Sequence, residues 1–226
     1  MAKVHPNASD PAPTEPEPPP SSSSSPAPAT EELLSLTVWR NSLLFNCDGF
    51  TVFDAKGDLA FRVDCYGARG RRHAEVVLMD VAGKPLLTLR RKKLSLADHW
   101  VIYDGDAAAE PSKARPLLSV RRHVSLRSST KAVAHVTPHH ASASTAEFVV
   151  EGSYGRRACA VLDARGDAVA EVRRKESVGD DVFRLVVDPR LGAPMAMGLV
   201  IALDEMFAAG RRGSSARSLL PRTWSV

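Results

Sequence analysis

The sequence is poor in cysteine, and this shortage bears on whether the protein has disulfides or a zinc site and on the redox compartment in which it is found. Cys47, Cys65 and Cys159 are the three cysteines among 226 residues, an odd number at wide spacing. This pattern argues against a disulfide framework or a zinc site and indicates a reducing compartment. Each cysteine is expected to be a small core residue.

Long apolar runs are also missing. The longest, residues 193–203, has eleven residues without a charged or polar side chain, whereas a helix needs roughly 20 to cross a bilayer. Residues 1–30 lack the apolar core of a secretion signal. The expected location is intracellular and cytoplasmic, and peripheral association with the plasma membrane or with the nucleus stays open.

The motifs that commonly mark catalytic sites are not found in the sequence. It has no glycine-rich phosphate loop, no Gly-x-Ser-x-Gly elbow and no His-Glu-x-x-His pair. His135, His139 and His140 form a histidine cluster, but serine, threonine and alanine surround them without a cysteine or carboxylate at useful spacing. A solvated loop is therefore favoured over a metal site. We expect no catalytic residue, no metal and no cofactor, and thus a protein that is not an enzyme.

Aromatic residues are few, which bears on the kind of anionic partner. Three tryptophans and three tyrosines do not make the row of exposed rings with which stacking proteins bind single strands. Nucleic acid is therefore not an expected partner. Trp39 and Trp100 lie within strand-like runs and are predicted to be buried.

The two ends of the chain differ from its middle. Residues 1–32 hold nine of the 16 prolines and a run of five serines, so this tail is predicted to be disordered. Its charge is 1 − 5 = −4, and because the whole chain is +4, residues 33–226 carry +8. A basic folded part favours anionic partners. Residues 209–226 are predicted to be a flexible basic tail.

Residues 193–207 predict a helix that is apolar on every side. Polar side chains begin only at Asp204 and Glu205, and Pro194 is tolerated in the first turn. A helix of this kind must be surrounded by protein or lipid. Because the run is too short to span a bilayer, we expect the rest of the chain to wrap around it.

Short strand-like runs separated by turn signals fill most of residues 37–187. Asp-x-x-Gly turns at residues 54–57, 80–83 and 163–166 each join two apolar runs and predict hairpins. Residues 104–116 are predicted to be a loop, and residues 128–145 a loop with one short strand at 132–136. About ten to twelve such strands indicate a sandwich or a barrel. A closed antiparallel barrel around the helix accounts for both patterns.

Clusters of basic residues follow several of the predicted strands. Consecutive charges cannot belong to a fully buried strand, so they mark a rim or an outward bend. One interpretation is a solvated rim that discourages edge pairing. The other is a site for phosphorylated lipid headgroups, to which each basic residue contributes about 1 kcal/mol. Residues 69–72 are one cluster, and the candidate anion-binding residues are Arg90, Arg91, Lys92, Lys93, Arg121, Arg122, Arg173, Arg174 and Lys175.

Ten stretches between residues 33 and 208 resemble the LURP-one-related family of plant proteins. Their order and spacing hold across this part of the chain, whereas the proline-rich tail and residues 128–145 fall outside the resemblance. The matching stretches are residues 36–40, 42–45, 49–53, 61–64, 75–80, 83–87, 90–96, 151–154, 170–175 and 197–201.

The resemblance implies a fold and a range of functions. The family is similar in fold to the C-terminal domain of tubby proteins and to phospholipid scramblases, which implies a twelve-stranded barrel around a hydrophobic C-terminal helix. Tubby domains bind phosphoinositides, and members of the plant family are associated with defence. No lipid-binding residue follows from the resemblance, because the tubby lipid-binding motif is absent from this sequence.

We therefore expect a monomeric binding module with a tubby-like barrel at residues 33–208 and its central helix near residues 194–207. Its expected partners are anionic membrane lipids, phosphoinositides among them, or other proteins. Two alternatives stay open, a protein-interaction scaffold without a lipid role and a scramblase-like activity.

Overall fold

The computed structural model describes residues 32–40, 49–66, 74–107, 109, 112, 114–124, 131–139, 147–175, 179 and 181–207. The predictions made for the two tails and for the basic cluster at residues 69–72 lie outside these residues, as do Cys47 and the matching stretch at residues 42–45. The domain boundaries therefore stay predictions.

The regular elements in the described part of the chain are twelve antiparallel strands, one α-helix and a short 3-10 helix at Tyr154–Arg156. The strands are β1 (Leu34–Arg40), β2 (Phe50–Phe53), β3 (Leu59–Tyr66), β4 (Glu75–Met79), β5 (Pro85–Arg91), β6 (His99–Asp104), β7 (Pro116–Arg122), β8 (Ala132–Pro138), β9 (Phe148–Ser153), β10 (Ala158–Leu162), β11 (Ala168–Arg174) and β12 (Val182–Val187), and the helix is α1 (Ala193–Phe207).

The strands form a closed barrel in chain order. Each strand pairs with its neighbours in sequence, and β1 pairs with β12 to close the ring, with Val38 opposite Phe183. Closure leaves no open sheet edge. This confirms the predicted fold class, a closed antiparallel barrel around a C-terminal helix.

Three hairpin turns form as the sequence predicts, and all three lie at the same end of the barrel. Asp80, for example, accepts a hydrogen bond from the backbone amide of Lys84 at 2.8 Å. Gly83 takes the left-handed conformation, with φ of 84°. Asp54 and Asp163 start equivalent turns. The aspartate side chain shapes each turn, and the glycine ends it at no steric cost.

The helix fills the barrel. Every residue from Ala196 to Asp204 is buried, as expected for a helix that is apolar on all sides. Gly198 lies so close to the wall that an added Cβ would be 3.1 Å from Leu87 and 3.4 Å from Ile102. Among the described residues, no helix has the length and apolar character needed to cross a membrane.

Several local predictions are corrected by the structure. Trp100 is buried as expected, but Trp39 is 41% exposed, because the inward positions of β1 are Leu36 and Val38. The short strand predicted at residues 132–136 is present as β8, which extends two residues further, to Pro138, and pairs with both β7 and β9. In this strand buried Ala134 and Val136 alternate with exposed polar residues, so one face of the strand points into the barrel and the other into solvent.

Candidate functional site

One end of the barrel gathers the basic residues. Because the strands alternate in direction, β1, β5, β7 and β11 all finish at the same end, and α1 also ends there. We call this the basic end. The arginines at its strand ends are Arg40, Arg90, Arg91, Arg121, Arg122, Arg173 and Arg174, and Lys92, Lys93 and Lys175 follow directly in the chain.

The opposite end, which we call the turn end, is richer in carboxylates. Many of them accept backbone hydrogen bonds in the hairpin turns, which lower the pKa of Asp163. The pKa of Asp188 is also lowered, chiefly by its hydrogen bonds with Arg190. The carboxylates at this end are Asp54, Asp58, Asp80, Asp104, Asp106, Asp163, Asp167 and Asp188. The charge of the barrel therefore differs along its axis, with basic residues gathered at one end and carboxylates at the other.

Some of the basic residues cover the end of the helix. Arg91 lies 2.9 Å from Asp98, and Arg122 lies 3.7 Å from the same carboxylate. The Arg122 guanidinium also stacks over the Phe207 ring at 5.0 Å from its centroid. The C-terminal end of a helix carries partial negative charge, and α1 has no basic residue in its last turn. The strands supply positive charge in its place.

A buried cluster surrounds Asp204 just inside the basic end. Arg40 Nε lies 3.0 Å from Asp204 Oδ2, and the Tyr154 hydroxyl donates a hydrogen bond to Oδ1 at 3.2 Å. The Arg157 guanidinium lies 3.9 Å from Oδ1 and stacks on the rings of Tyr154 and Phe183, at 4.5 and 4.2 Å. Asp204 is the first polar residue of the helix, but it does not begin a solvent-facing side, because this carboxylate is only 4% exposed.

The surroundings of this cluster raise the pKa of two neutral groups, the Tyr154 phenol and the Cys159 thiol, so both keep their protons at neutral pH. Burial, and then the Asp204 charge, raise the pKa of Tyr154 well above its ordinary value, so the phenol stays a hydrogen-bond donor. Burial raises the pKa of Cys159 to about 12, so this thiol is not a nucleophile at neutral pH. Cys159 is the buried core residue that the sequence predicts.

The nine candidate residues fall into two sets. Arg90 lies 2.6 Å from Glu75, and Arg173 lies 2.6 Å from Glu171. Arg91 and Arg122 are engaged by Asp98, and Arg174 also has a partner. Within the described residues, the candidates with no ion pair or side-chain hydrogen bond are Lys92, Lys93, Arg121 and Lys175.

Two of these uncommitted cations lie in one row across neighbouring strands. Lys92 donates its backbone N–H to the carbonyl of His99 at 2.9 Å, His99 is opposite Arg121, and Arg121 is opposite His135. We call these four residues the outer row. Strands are roughly 5 Å apart, so Lys92 and Arg121 flank His99 on the outer face. Burial, followed by the charges of Arg121, Lys92 and His139, lowers the pKa of His99 to about 4.

The cluster at residues 173–175 does not converge with this row. In the ring of twelve strands, β5 and β11 are six positions apart in either direction. The basic residues therefore occupy opposite sides of one end and do not form a single concave pocket. An anionic partner that touched both sides would have to present a broad surface.

Ser119 places a hydroxyl near two imidazoles, an arrangement that a nucleophilic serine requires. Its Oγ lies 2.8 Å from His139 Nε2 and 3.2 Å from His99 Nε2, beside a groove of about 290 Å³. Ser119 lies within the ladder of β6, β7 and β8, not at a turn with free amides for an oxyanion. Within the described residues no carboxylate contacts His139. We interpret the trio as a network that satisfies buried, neutral His99.

Of the three histidines that the sequence assigned to a loop, the structure places one in a strand. His135 belongs to β8, and its Nε2 is 2.9 Å from His123 Nδ1. His139 follows the same strand, and His140 lies outside the described residues. In the described ranges no three histidine, cysteine or acidic side chains come together as metal ligands.

Several residues that define this end were not singled out from the sequence. The buried Arg157 adopts a left-handed φ of 54° and carries no motif. Leu94 and Leu96, in the loop between β5 and β6, are fully exposed, at 103% and 111% of the reference area. A signal for them existed, because leucines that alternate with polar residues directly after four basic residues are unusual in a turn.

Comparison with known proteins gives a consistent match. A model of the LURP-one-related family matches residues 34–204. Protein LURP-one-related 8 of Arabidopsis thaliana is 46% identical over 180 residues, which cover 76% of this chain and 86% of that protein. Protein LURP-one-related 5 of the same plant is 42% identical over 181 residues, covering 76% and 83%.

The fold also has a solved counterpart. The X-ray structure of a protein from Arabidopsis thaliana aligns with a TM-score of 0.54 at 24% sequence identity, covering 77% of this chain and 91% of that one. At this level of identity the likeness concerns the fold.

Proposed function

The chain belongs to the LURP-one-related family, and we propose that it is an intracellular, non-enzymatic binding module that docks on anionic membrane headgroups through its basic end. The observation that carries this proposal is the distribution of basic residues. They lie around one end of the barrel, on opposite sides of its axis, while carboxylates concentrate at the other end.

A flat anionic surface fits this distribution better than a small ligand does. A single phosphate would need several cations converging within hydrogen-bond distance, whereas β5 and β11 carry theirs on opposite sides of the ring. A bilayer rich in anionic lipids, phosphoinositides included, meets both sides at once. Lys92, Lys93, Arg121 and Lys175 are available for it, because no side chain among the described residues engages them.

The cations that neutralise the protein's own charges have a different role. Arg40 and Arg157 compensate Asp204, and Arg91 and Arg122 compensate Asp98. Reversing these would disturb the fold as well as any docking. The uncommitted residues are therefore the ones through which binding is tested.

The experiment is sedimentation with phosphatidylcholine vesicles, with and without phosphatidylinositol phosphates. We expect wild-type protein to sediment with the anionic vesicles at low salt and to be released as salt rises. Reversal of three charges, K92E/K93E/R121E, should weaken binding by at least about 100-fold, since each basic residue contributes about 1 kcal/mol near an anionic membrane.

The matched control reverses three exposed cations at the turn end, K56E/K84E/R165E. It changes the net charge by the same amount, so any weakening it shows measures the effect of net charge alone, and we expect that effect to be small. Failure of the wild type to bind at low salt would remove the proposal. Equal weakening by the two triple variants would reduce it to a net-charge effect. Retention of a protein partner by K92E/K93E/R121E would favour the scaffold alternative. The absence of catalysis, the monomeric state, the intracellular location and the link to plant defence stay predictions.

A further inference from the structure

The loop of residues 92–98 projects two leucines away from the protein. Leu94 and Leu96 have 103% and 111% of the reference exposed area, and Val124, in the segment after β7, is 68% exposed. Turns are ordinarily polar, and an isolated exposed apolar residue is unremarkable. Here Leu96 and Val124 line the same groove of about 420 Å³, and Leu94 is exposed two residues before Leu96 in the same loop.

The base of this loop is held in place, so the leucines have no short route to the core. Asp98 lies 2.9 Å from the Arg91 guanidinium, and its backbone carbonyl accepts the N–H of Arg122 at 2.9 Å. Lys92 closes the other side of the loop with its hydrogen bond to the carbonyl of His99. The leucines therefore extend from anchored ends, beyond the strands.

Basic residues lie close to the leucines in the chain and on the neighbouring strand. Lys92 and Lys93 precede Leu94 directly, and Arg121 lies across His99 from Lys92. Both lysines and Arg121 are exposed, and within the described residues no carboxylate pairs with them. Exposed apolar side chains beside uncommitted cations match the interface of an anionic bilayer, where phosphates lie just outside hydrocarbon.

We propose that the 92–98 loop is a membrane-inserting wedge, in which Leu94 and Leu96 enter the acyl region of an anionic bilayer while Lys92, Lys93 and Arg121 bind the phosphates above them. This inference rests on the proposed function, which concerns the binding of headgroups alone. Insertion of the leucines would add to the binding free energy an apolar contribution that salt does not screen. Charge complementarity selects a bilayer over an apolar protein groove, because only the bilayer offers phosphate and hydrocarbon at adjoining depths.

The test compares leucine variants with matched variants at the turn end. The probe is a phosphatidylcholine vesicle containing phosphatidylserine, at physiological salt. The double variant L94S/L96S should bind about 10- to 100-fold more weakly than wild type, because two exposed leucines no longer leave water. The control L33S/V81S changes two residues that are 60% and 59% exposed at the opposite end, and it should bind as wild type does. Both variants should melt at the wild-type temperature, since none of the four side chains is buried.

A second measurement reports insertion directly. The tryptophan of L96W should be quenched by vesicles with brominated acyl chains, and that of V81W should not, each relative to the fluorescence of the wild-type protein. Wild-type protein that fails to bind anionic vesicles at low salt would overturn the proposed function and the wedge together. Binding that needs Lys92, Lys93 and Arg121 but is unchanged in L94S/L96S would overturn the wedge alone, as would weaker binding without quenching of L96W.

Discussion

Arg40 Nε lies 3.0 Å from Asp204 Oδ2, and this ion pair joins the first strand of the barrel to the last turn of the central helix. Both side chains are less than a tenth exposed. A carboxylate in such a place is tolerated only when opposite charge and hydrogen bonds compensate it. Tyr154 and Arg157 complete the compensation from the junction of β9 and β10. The cluster therefore joins two parts of the barrel, β1 and the β9–β10 junction, to the helix that fills it.

Replacement of Asp204 by asparagine should destabilise the protein strongly. The change keeps the volume but removes the buried negative charge that lies between Arg40 and Arg157, and breaking a buried ion pair typically costs about 3–5 kcal/mol. The free energy of unfolding, measured by denaturant titration, would report it. Asp181→Asn is the matched control, because Asp181 faces the same arginine at 3.7 Å but is 61% exposed, and it should change stability by less than about 0.5 kcal/mol. Equal effects of the two variants would contradict the assigned role of Asp204.

Substitution of an engaged cation at the basic end should mainly lower stability, whereas substitution of an uncommitted one should mainly weaken vesicle binding. Arg122→Gln loses its interactions with Asp98 and Phe207 and should lower stability by about 1 kcal/mol, since the side chain is partly exposed. Lys93→Gln should leave stability within about 0.5 kcal/mol of wild type. Under the proposed function, the same lysine variant should weaken vesicle binding by about 5-fold, corresponding to about 1 kcal/mol. Thermal unfolding and vesicle sedimentation would be measured side by side. A destabilised Lys93→Gln, or one that binds as wild type does, would contradict the division into two sets.

His99 should make the fold sensitive to mild acid. Burial and its neighbours Arg121, Lys92 and His139 lower its pKa to about 4 in the folded protein, against about 6.5 in an unfolded chain. Between these values the unfolded state binds the additional proton, so this contribution to stability is present at neutral pH and is lost as the pH falls from about 6.5 towards 4. We expect a loss of about 2 kcal/mol between pH 7 and pH 5 from this group.

The check is to measure the free energy of unfolding at both pH values for the wild type and for His99→Gln. Glutamine retains a hydrogen-bonding group near Ser119 but does not titrate in this range. The variant should therefore show a smaller fall in stability between the two pH values, whatever its stability at pH 7. An identical fall in the two proteins would show that His99 is not the source.

The clearest sequence predictions came from patterns that depend on neighbours in the chain. The Asp-x-x-Gly turns at Asp54, Asp80 and Asp163 could be predicted because the aspartate and glycine act on their own backbone. The strand β8 was predicted two residues too short because the stretch around it is rich in Ser, Thr, Ala and His, a composition typical of loops. That strand is stabilised by hydrogen bonds to β7 and β9, and each of these strands is separated from it in the sequence by about nine residues.

The basic residues illustrate the same limit at the functional end. Their presence after several strands was visible in the sequence, and so was the inference that they mark a rim. Which of them neutralise Asp98 or Asp204, and which remain uncommitted, depends on distances between residues far apart in sequence, such as Arg40 and Asp204. The alternation of leucines after Lys93 was likewise visible, but their exposure follows from the anchoring of the loop by Asp98.

The sequence by itself determined that an apolar helix must be enclosed and that short strands with tight turns would enclose it, because burial of apolar surface and local turn geometry are properties of neighbouring residues. Only the tertiary structure decided that the basic strand ends meet at one end, that β5 and β11 face each other across it, and that Asp204 is buried among arginines. Those outcomes depend on barrel closure and strand register, which bring together residues that no local pattern relates.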